Sequence, residues 1–401
     1  AVREPHPHLL EVKKIYQNIK STLVDKKNLT IRVKNWFDFS DLNEYLLHWS
    51  VTGDDGTIVA EGSKEVTCAP HAVVDITLGA VKLPKTLREA YLNLSWTRVK
   101  ATPLVTSDWE VAYDQFVLPV SKKSWSGKPA KAGNTTFVVD EATGALKSLC
   151  LDGEELLASP ITLSLFRPAT DNDNRDQNGA KLWRQAGLDH LTQKVVSLKE
   201  GKNKTTVKAD ILNAEGKKIG NAEFIYALNR DGSMKVQTTF EPDTSLVKSM
   251  ARLGITFEMK DTYENVTYLG RGEHETYTDR NQSGKVGVYK TTPERMFHYY
   301  VVPQSTGNRT DVRWMQLTDE HGKGCWIEAN SLFQFSTVPF SDVILEKARH
   351  INELKRDGKI TIHLDAEQAG VGTATCGPGV LPSYLVPLTK QTFDFTIYPV
   401  K

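Results

Sequence analysis

The chain has 401 residues, with 50 Lys and Arg against 49 Asp and Glu, a formal net charge of +1 at pH 7. That length exceeds one ordinary core and predicts two or more domains, while the near-neutral balance excludes the electrostatic footprint of a nucleic-acid binder. No apolar run approaches the roughly 20 residues needed to cross a bilayer as a helix, so no membrane partner is expected and the chain reads as soluble.

Leu9, Val12, Tyr16 and Ile19 recur at helical spacing directly after Pro7, which predicts one amphipathic helix over about residues 8–20 whose apolar face needs a neighbour. Ala1 rather than Met stands first and the helix begins almost at once, so the sequence is expected to be an expressed or internally cut piece. Its compartment, cytoplasmic or periplasmic, is left open.

After the helix the apolar period switches to two. Leu29/Ile31/Val33, Tyr45/Leu47/Trp49/Val51 and Leu92/Leu94/Trp96 each alternate with polar residues, Asp54-Asp55-Gly56 marks a turn, and Asp108-Trp109 through Leu118 gives one more strand. This predicts a small β-sandwich of roughly a hundred residues. Ser121-Lys122-Lys123-Ser124-Trp125-Ser126-Gly127-Lys128-Pro129 then breaks all periodicity and reads as a boundary.

Beyond it alternation resumes, clearest at Leu253/Ile255/Phe257/Met259, Ile360/Ile362/Leu364 and Phe393/Phe395/Ile397. So long a run of antiparallel strands requires two large stacked sheets to bury its apolar faces. Helical interruptions are predicted at Val343–Ile351, with Ser341 or Asp342 as N-cap, and at Ala180–Ala186. The fold class expected is all-β. Cys68, Cys150, Cys325 and Cys376 lie far apart and form no CxxC pair, which predicts free thiols, mostly buried.

Two glycine-rich, polar segments stand out as candidate sites, Tyr268 to Arg280 and Gly370 to Gly379. Glycines let backbone come close to another surface, and interleaved Arg, Glu, His and Tyr can hydrogen-bond a hydroxyl-rich ligand. Glu273 and Glu275, two apart on a strand, would sit about 6.6 Å apart on one side of it at roughly 3.3 Å per residue. Carboxylates on one strand cannot easily flank a bond from opposite faces, so a loop-stabilising network with Arg271, His274 and Arg280 is the reading preferred over catalysis. Asp171-Asn172-Asp173-Asn174-Arg175-Asp176 fails the EF-hand template, with Arg175 fifth and no glycine sixth, and is expected to be a polar turn capping backbone groups. His6 and His8 belong to a helix entry, and Trp183, Trp314 and Trp326 are expected in the core. No GxSxG elbow, phosphate loop or HExxH occurs.

Several ordered blocks carry a resemblance. Arg3-Glu4-Pro5-His6-Pro7 with Glu11-Val12-Lys13-Lys14, Phe166-Arg167-Pro168-Ala169-Thr170-Asp171-Asn172-Asp173, Gly270 to Arg280, Tyr300-Val301-Val302-Pro303-Gln304, and Gly370 to Gly379 together resemble the C-terminal part of a glycoside hydrolase family 2 β-galactosidase. The resemblance covers essentially the whole chain. It implies a remnant of the last catalytic-barrel helix at 1–20, an immunoglobulin-like β-sandwich at 21–122, a linker at 123–130 and a large supersandwich of the galactose-mutarotase type at 131–401.

The two catalytic glutamates of the family, which in retaining enzymes stand about 5–5.5 Å apart, lie on the barrel. The resemblance therefore implies no catalytic residue and no cofactor in this chain, since the Mg and Na the family often uses also belong to the barrel. Expected partners are a galactoside, the missing barrel and, for the full-length protein, further copies of itself. In the family a loop near the C-terminus offers a tryptophan to the sugar. The matching position here is Cys376, flanked by Gly377 and Pro378, so a neighbouring residue or a smaller contact takes the place of the aromatic platform at the pocket edge. The alternative is a free-standing carbohydrate-binding or mutarotase-like protein that uses Arg271, Glu273, His274, Glu275, Tyr277 and Arg280.

Overall fold

A computed structural model describes residues 5–120 and 134–400. Arg3 and Glu4 of the opening motif and the whole of Ser121–Pro129 lie outside the described residues. The chain divides into two compact units, Ala1–Ser126 and Gly127–Lys401.

In the smaller unit two antiparallel sheets face each other across one core. Ile19–Asp25, Thr30–Asn35 and Val73–Thr77 form the first, and Ile58–Glu65, Tyr45–Gly53, Ala90–Arg98 and Glu110–Leu118 the second. Period-two alternation puts Ile31 and Val33 of one sheet against Leu47, Val51, Leu92, Leu94 and Trp96 of the other, all fully or almost fully buried. This is the sheet-on-sheet packing that alternating strands require.

The N-terminal helix is shorter than its periodicity predicts. It runs Pro7–Ile15, and the chain is already extended at Ile19. Ile19 is drawn out of the helical pattern because it fills the sandwich core, with no exposure at all, opposite Asn35 in the first sheet. Lys14 fastens the helix to the last strand of the unit through Asp114 at 2.7 Å. Leu9, Val12, Ile15 and Tyr16 remain exposed as an apolar stripe.

The larger unit is built on a twelve-stranded antiparallel sheet. Its main path runs Thr162–Ser164, Arg252–Lys260, Lys359–Gln368, Gly324–Val338, Gln391–Val400, Met234–Pro242, Lys218–Leu228, Lys204–Leu212 and Thr192–Glu200, with Arg309–Thr318, Asn265–Gly272 and Lys285–Thr291 branching from Gly324–Val338. Thr135–Val139, Leu146–Leu151 and Glu154–Glu155 make a small separate sheet. Leu253, Ile255, Phe257 and Met259 bury one face of their strand in a single large core, together with Ile360, Ile362 and Leu364. The fold is all-β, as the alternation predicts.

The opposite face of the same strands is buried as well, with Ser164, Gln334, Ser336, His363 and Asp365 all under 9% exposed. Loops and short helices cover this polar face. Asn308 donates to Gln334, and His363 hydrogen-bonds Asp342 at the start of the helix Asp342–Lys347. That helix ends earlier than expected, after Ser341 has capped it by accepting from the Ile344 amide. The second short helix spans Ala180–Gln185 and seats Trp183, 1% exposed, with its indole N–H donating to Ser249. Trp314 and Trp326 are half-buried and stack on each other at 4.0 Å rather than entering the core. Of the cysteines, Cys68 and Cys325 are buried, Cys150 is half-buried and Cys376 is exposed. Among the described residues no helix is long and apolar enough to cross a membrane.

Candidate functional site

The two glycine-rich segments meet. The first leaves its strand at Gly272, so Glu273 and Glu275 are not companions on one strand face. Glu273 is exposed, whereas Glu275 is 4% exposed. Burial, the largest single influence, would push the Glu275 carboxyl up, and the Arg280 guanidinium opposes it. Hydrogen bonds from Tyr300, the Gly307 amide and Thr306 add to the effect, and together they hold the carboxyl down at about 2. The distances are 2.5 Å to Arg280, 2.6 Å to Tyr300, 2.7 Å to Thr306 and 2.9 Å to the Gly307 nitrogen. With every lone-pair direction occupied and the proton so weakly held, Glu275 fits neither general acid nor general base at neutral pH. It is the hub of a structural network.

The rest of that segment is engaged in the same way. Arg271 pairs with Asp311 at 2.5 Å and donates to the Gly284 carbonyl, and His274 shares a 2.7 Å hydrogen bond with Ser283. Tyr277, 1% exposed, lies between two guanidiniums, 5.8 Å from Arg167 and 5.2 Å from Arg280. Arg309 ties the turn together by donating to the Tyr268 hydroxyl and to the Glu273 and Gly307 carbonyls. Sequence reasoning found the cluster and missed Tyr300, Thr306 and Arg309 as its members. Tyr300 was visible only as part of a block.

The second segment is a loop gripped at its base. Arg167, fully buried, pairs with Asp173 at 2.7 Å and donates to the Ala369 and Gly370 carbonyls. Asn172 donates to the next two carbonyls, of Val371 and Gly372, at 2.9 and 2.8 Å. Asp279 accepts from the Val371 and Gly372 amides at 3.0 and 2.7 Å, and Asp176 accepts from the Val380 amide at 2.7 Å. Glycine is required where the carboxylates approach this closely. A Cβ on Gly370 would stand 2.4 Å from Asp279, and one on Gly379 2.4 Å from Asp176. The polar turn at 171–176 is thus a clamp for a loop some two hundred residues away in sequence, a pairing that no local motif announces.

Between the clamped ends the loop is open to solvent. Thr373, Thr375, Cys376, Gly377 and Pro378 are exposed, and Thr373 braces the turn by donating to the Pro378 carbonyl at 2.9 Å. A tip so held can present a thiol, a glycine edge and a proline ring at a fixed position. Of the candidate residues, Arg271, His274, Glu275, Tyr277 and Arg280 are thus engaged with neighbouring side chains and backbone, whereas Glu273, Cys376, Gly377 and Pro378 are exposed.

The chain is thus all-β, with a small sandwich in one unit and a twelve-stranded antiparallel sheet in the other. The family described as β-galactosidase small chain matches residues 131–398, and that described as β-galactosidase, domain 4, matches residues 31–119. The chain is 30% identical to the β-galactosidase of Priestia megaterium over 91% of its own length and 37% of that protein. It is 29% identical to that of Aeromonas hydrophila, over 92% of this chain and 38% of the other, and 24% identical to that of Actinobacillus pleuropneumoniae, over 95% and 39%. The chain belongs to the β-galactosidase small chain family. It spans about two fifths of the length of the curated relatives it matches.

Proposed function

We propose that this chain is the part of a β-galactosidase that follows the catalytic barrel. In this reading it breaks no bond itself and lends Cys376, Gly377 and Pro378 to the rim of the galactoside pocket. The whole enzyme removes terminal non-reducing β-D-galactose residues with retention, using two barrel glutamates.

The observation that carries the reading is the loop 370–380, whose base is fixed by Arg167, Asn172, Asp176 and Asp279 while its tip is exposed. A residue that shapes a substrate pocket has to be held to within about 0.5 Å, and such a double-sided grip on carbonyls and amides supplies that stiffness. Further support comes from Glu275, whose four hydrogen bonds occupy a buried carboxylate of the first glycine-rich segment and leave it poorly suited to act as a glycosidase acid. The exposed stripe of Leu9, Val12, Ile15 and Tyr16 on the first helix offers an apolar face to the barrel. The rival reading, sugar binding by Arg271 to Arg280, loses ground because Glu275, Tyr277 and Arg280 are buried or bonded to one another.

In the assembled enzyme, Cys376→Ala is expected to raise KM and leave kcat within twofold, since it trims a contact distant from the reacting bond. Loss of a thiol contact worth about 0.5–1.4 kcal/mol corresponds to roughly a two- to tenfold rise. An unchanged KM in that variant would remove the loop from the pocket.

A further inference from the structure

The large unit also contains a cavity of about 420 Å³ that shares no lining residue with the clamped loop. It is lined from both end strands of the twelve-stranded sheet, by Thr162–Ser164 on one side and by Thr192 and Gln193 on the other. Its walls are apolar, with Leu163, Leu165, Phe166, Leu188, Leu191 and Ile211 among them. That volume falls within the range of about 300–1,000 Å³ typical of small-ligand sites, which combine apolar walls with a few placed polar groups.

The charged groups here are mostly negative, beside the neutral side chains of Thr162, Ser164, Thr192 and Gln193. Asp189, Asp342 and Glu346 line the cavity against Lys347 and His190. Glu346 is already paired with Arg184 at 2.5 Å, and Asp189 with His190 at 3.0 Å. Asp342 lines the cavity at the start of the helix Asp342–Lys347, where one carboxylate oxygen hydrogen-bonds His363, 2% exposed, at 3.1 Å, and the side chain as a whole is 30% exposed. Burial pushes its carboxyl up, yet the charge of and hydrogen bond from His363, aided by Arg252, hold it below the usual range, so it stays ionised beside apolar walls.

We propose that this cavity binds a small organic cation, a single apolar ring or short chain bearing a protonated amine that pairs with Asp342. Three lining carboxylates repel an anion. A sugar would press part of its hydroxyl surface against those apolar side chains, where unpaired polar groups are costly. A protonated amine gains a charge-assisted hydrogen bond, the stronger kind, while its body replaces water along the walls.

The test compares benzylamine with benzyl alcohol, its uncharged near-isostere, and with benzoate, by calorimetry or ligand-observed NMR on the full chain at pH 7. Benzylamine is expected to bind about tenfold more tightly than benzyl alcohol, the worth of one charge-assisted hydrogen bond, and benzoate more weakly than either. Asp342→Asn should abolish the amine's advantage and leave benzyl alcohol unchanged. Leu191→Trp, at a half-exposed wall position, should abolish binding of both, with thermal unfolding confirming that each variant is folded. Equal affinity for amine and alcohol, an amine preference that survives Asp342→Asn, binding that survives Leu191→Trp, or no binding of benzylamine up to tens of millimolar would each overturn the proposal. If Asp342→Asn does not fold, the three-probe comparison and Leu191→Trp still decide.

Discussion

Glu275 shows how a single side chain can look catalytic in sequence and be structural in fact. Its carboxylate is buried, ionised and fully bonded, so removing the charge strands Arg280, which is itself largely covered. Glu275→Gln is expected to cost about 3–5 kcal/mol in denaturant unfolding, the range for breaking one side of a buried pair. The acid dependence has a definite sign. The folded carboxyl is held down at about 2, below the roughly 4.3 of an unfolded glutamate. Its contribution is therefore complete above about pH 4.3 and is lost as pH falls through that window toward 2. Unfolding free energies measured between pH 2 and 6 should fall less steeply in the Gln variant, and parallel slopes would refute the assignment. The sequence placed Glu275 and Arg280 in one loop-stabilising network, because they lie in a single short segment. It could not find Tyr300 and Thr306, which reach the same carboxylate only after a long excursion of the chain.

The element that matters most is the loop between Gly370 and Val380, and its rigidity comes from side chains that belong to other segments. Replacing Asp279 with Ala removes the acceptor for the Val371 and Gly372 amides. Those two amides should then exchange with solvent about 10- to 100-fold faster, the consequence of losing roughly 1.4–2.7 kcal/mol of local stability. Gly370→Ala should act in the same direction, because its new methyl collides with the Asp279 carboxylate. Exchange rates unchanged in both variants would mean that the loop is held by something else. The glycines and carboxylates of this clamp were all conspicuous in the sequence, but which of them face each other depends on the register of distant strands. The first helix teaches a related lesson. Ile19 fits the helical period, yet the sandwich core claims it, and tertiary burial outweighs a local pattern.

At the scale of the whole molecule, the alternation of apolar residues was enough to read an all-β chain, since burying one face of each strand leaves few other solutions. The double burial of the central strands was not readable. His363, Asp365 and Gln334 look like solvent-facing positions until the loops that cover them are placed. Each unit has a core of its own, so Trp96→Ala in the smaller one is expected to lose about 3–5 kcal/mol. Its effect should fall on the melting of that unit, with calorimetry showing the larger unit's transition in place. The measurement that bears most directly on the functional account is hydrolysis of a chromogenic β-galactoside by the purified 401-residue chain, alone and mixed with the remainder of its parent enzyme. We expect no turnover above buffer for the chain alone and full activity once the catalytic part is supplied. Turnover by the chain alone at the rate of an intact enzyme, abolished by Glu273→Gln or Glu275→Gln, would contradict it.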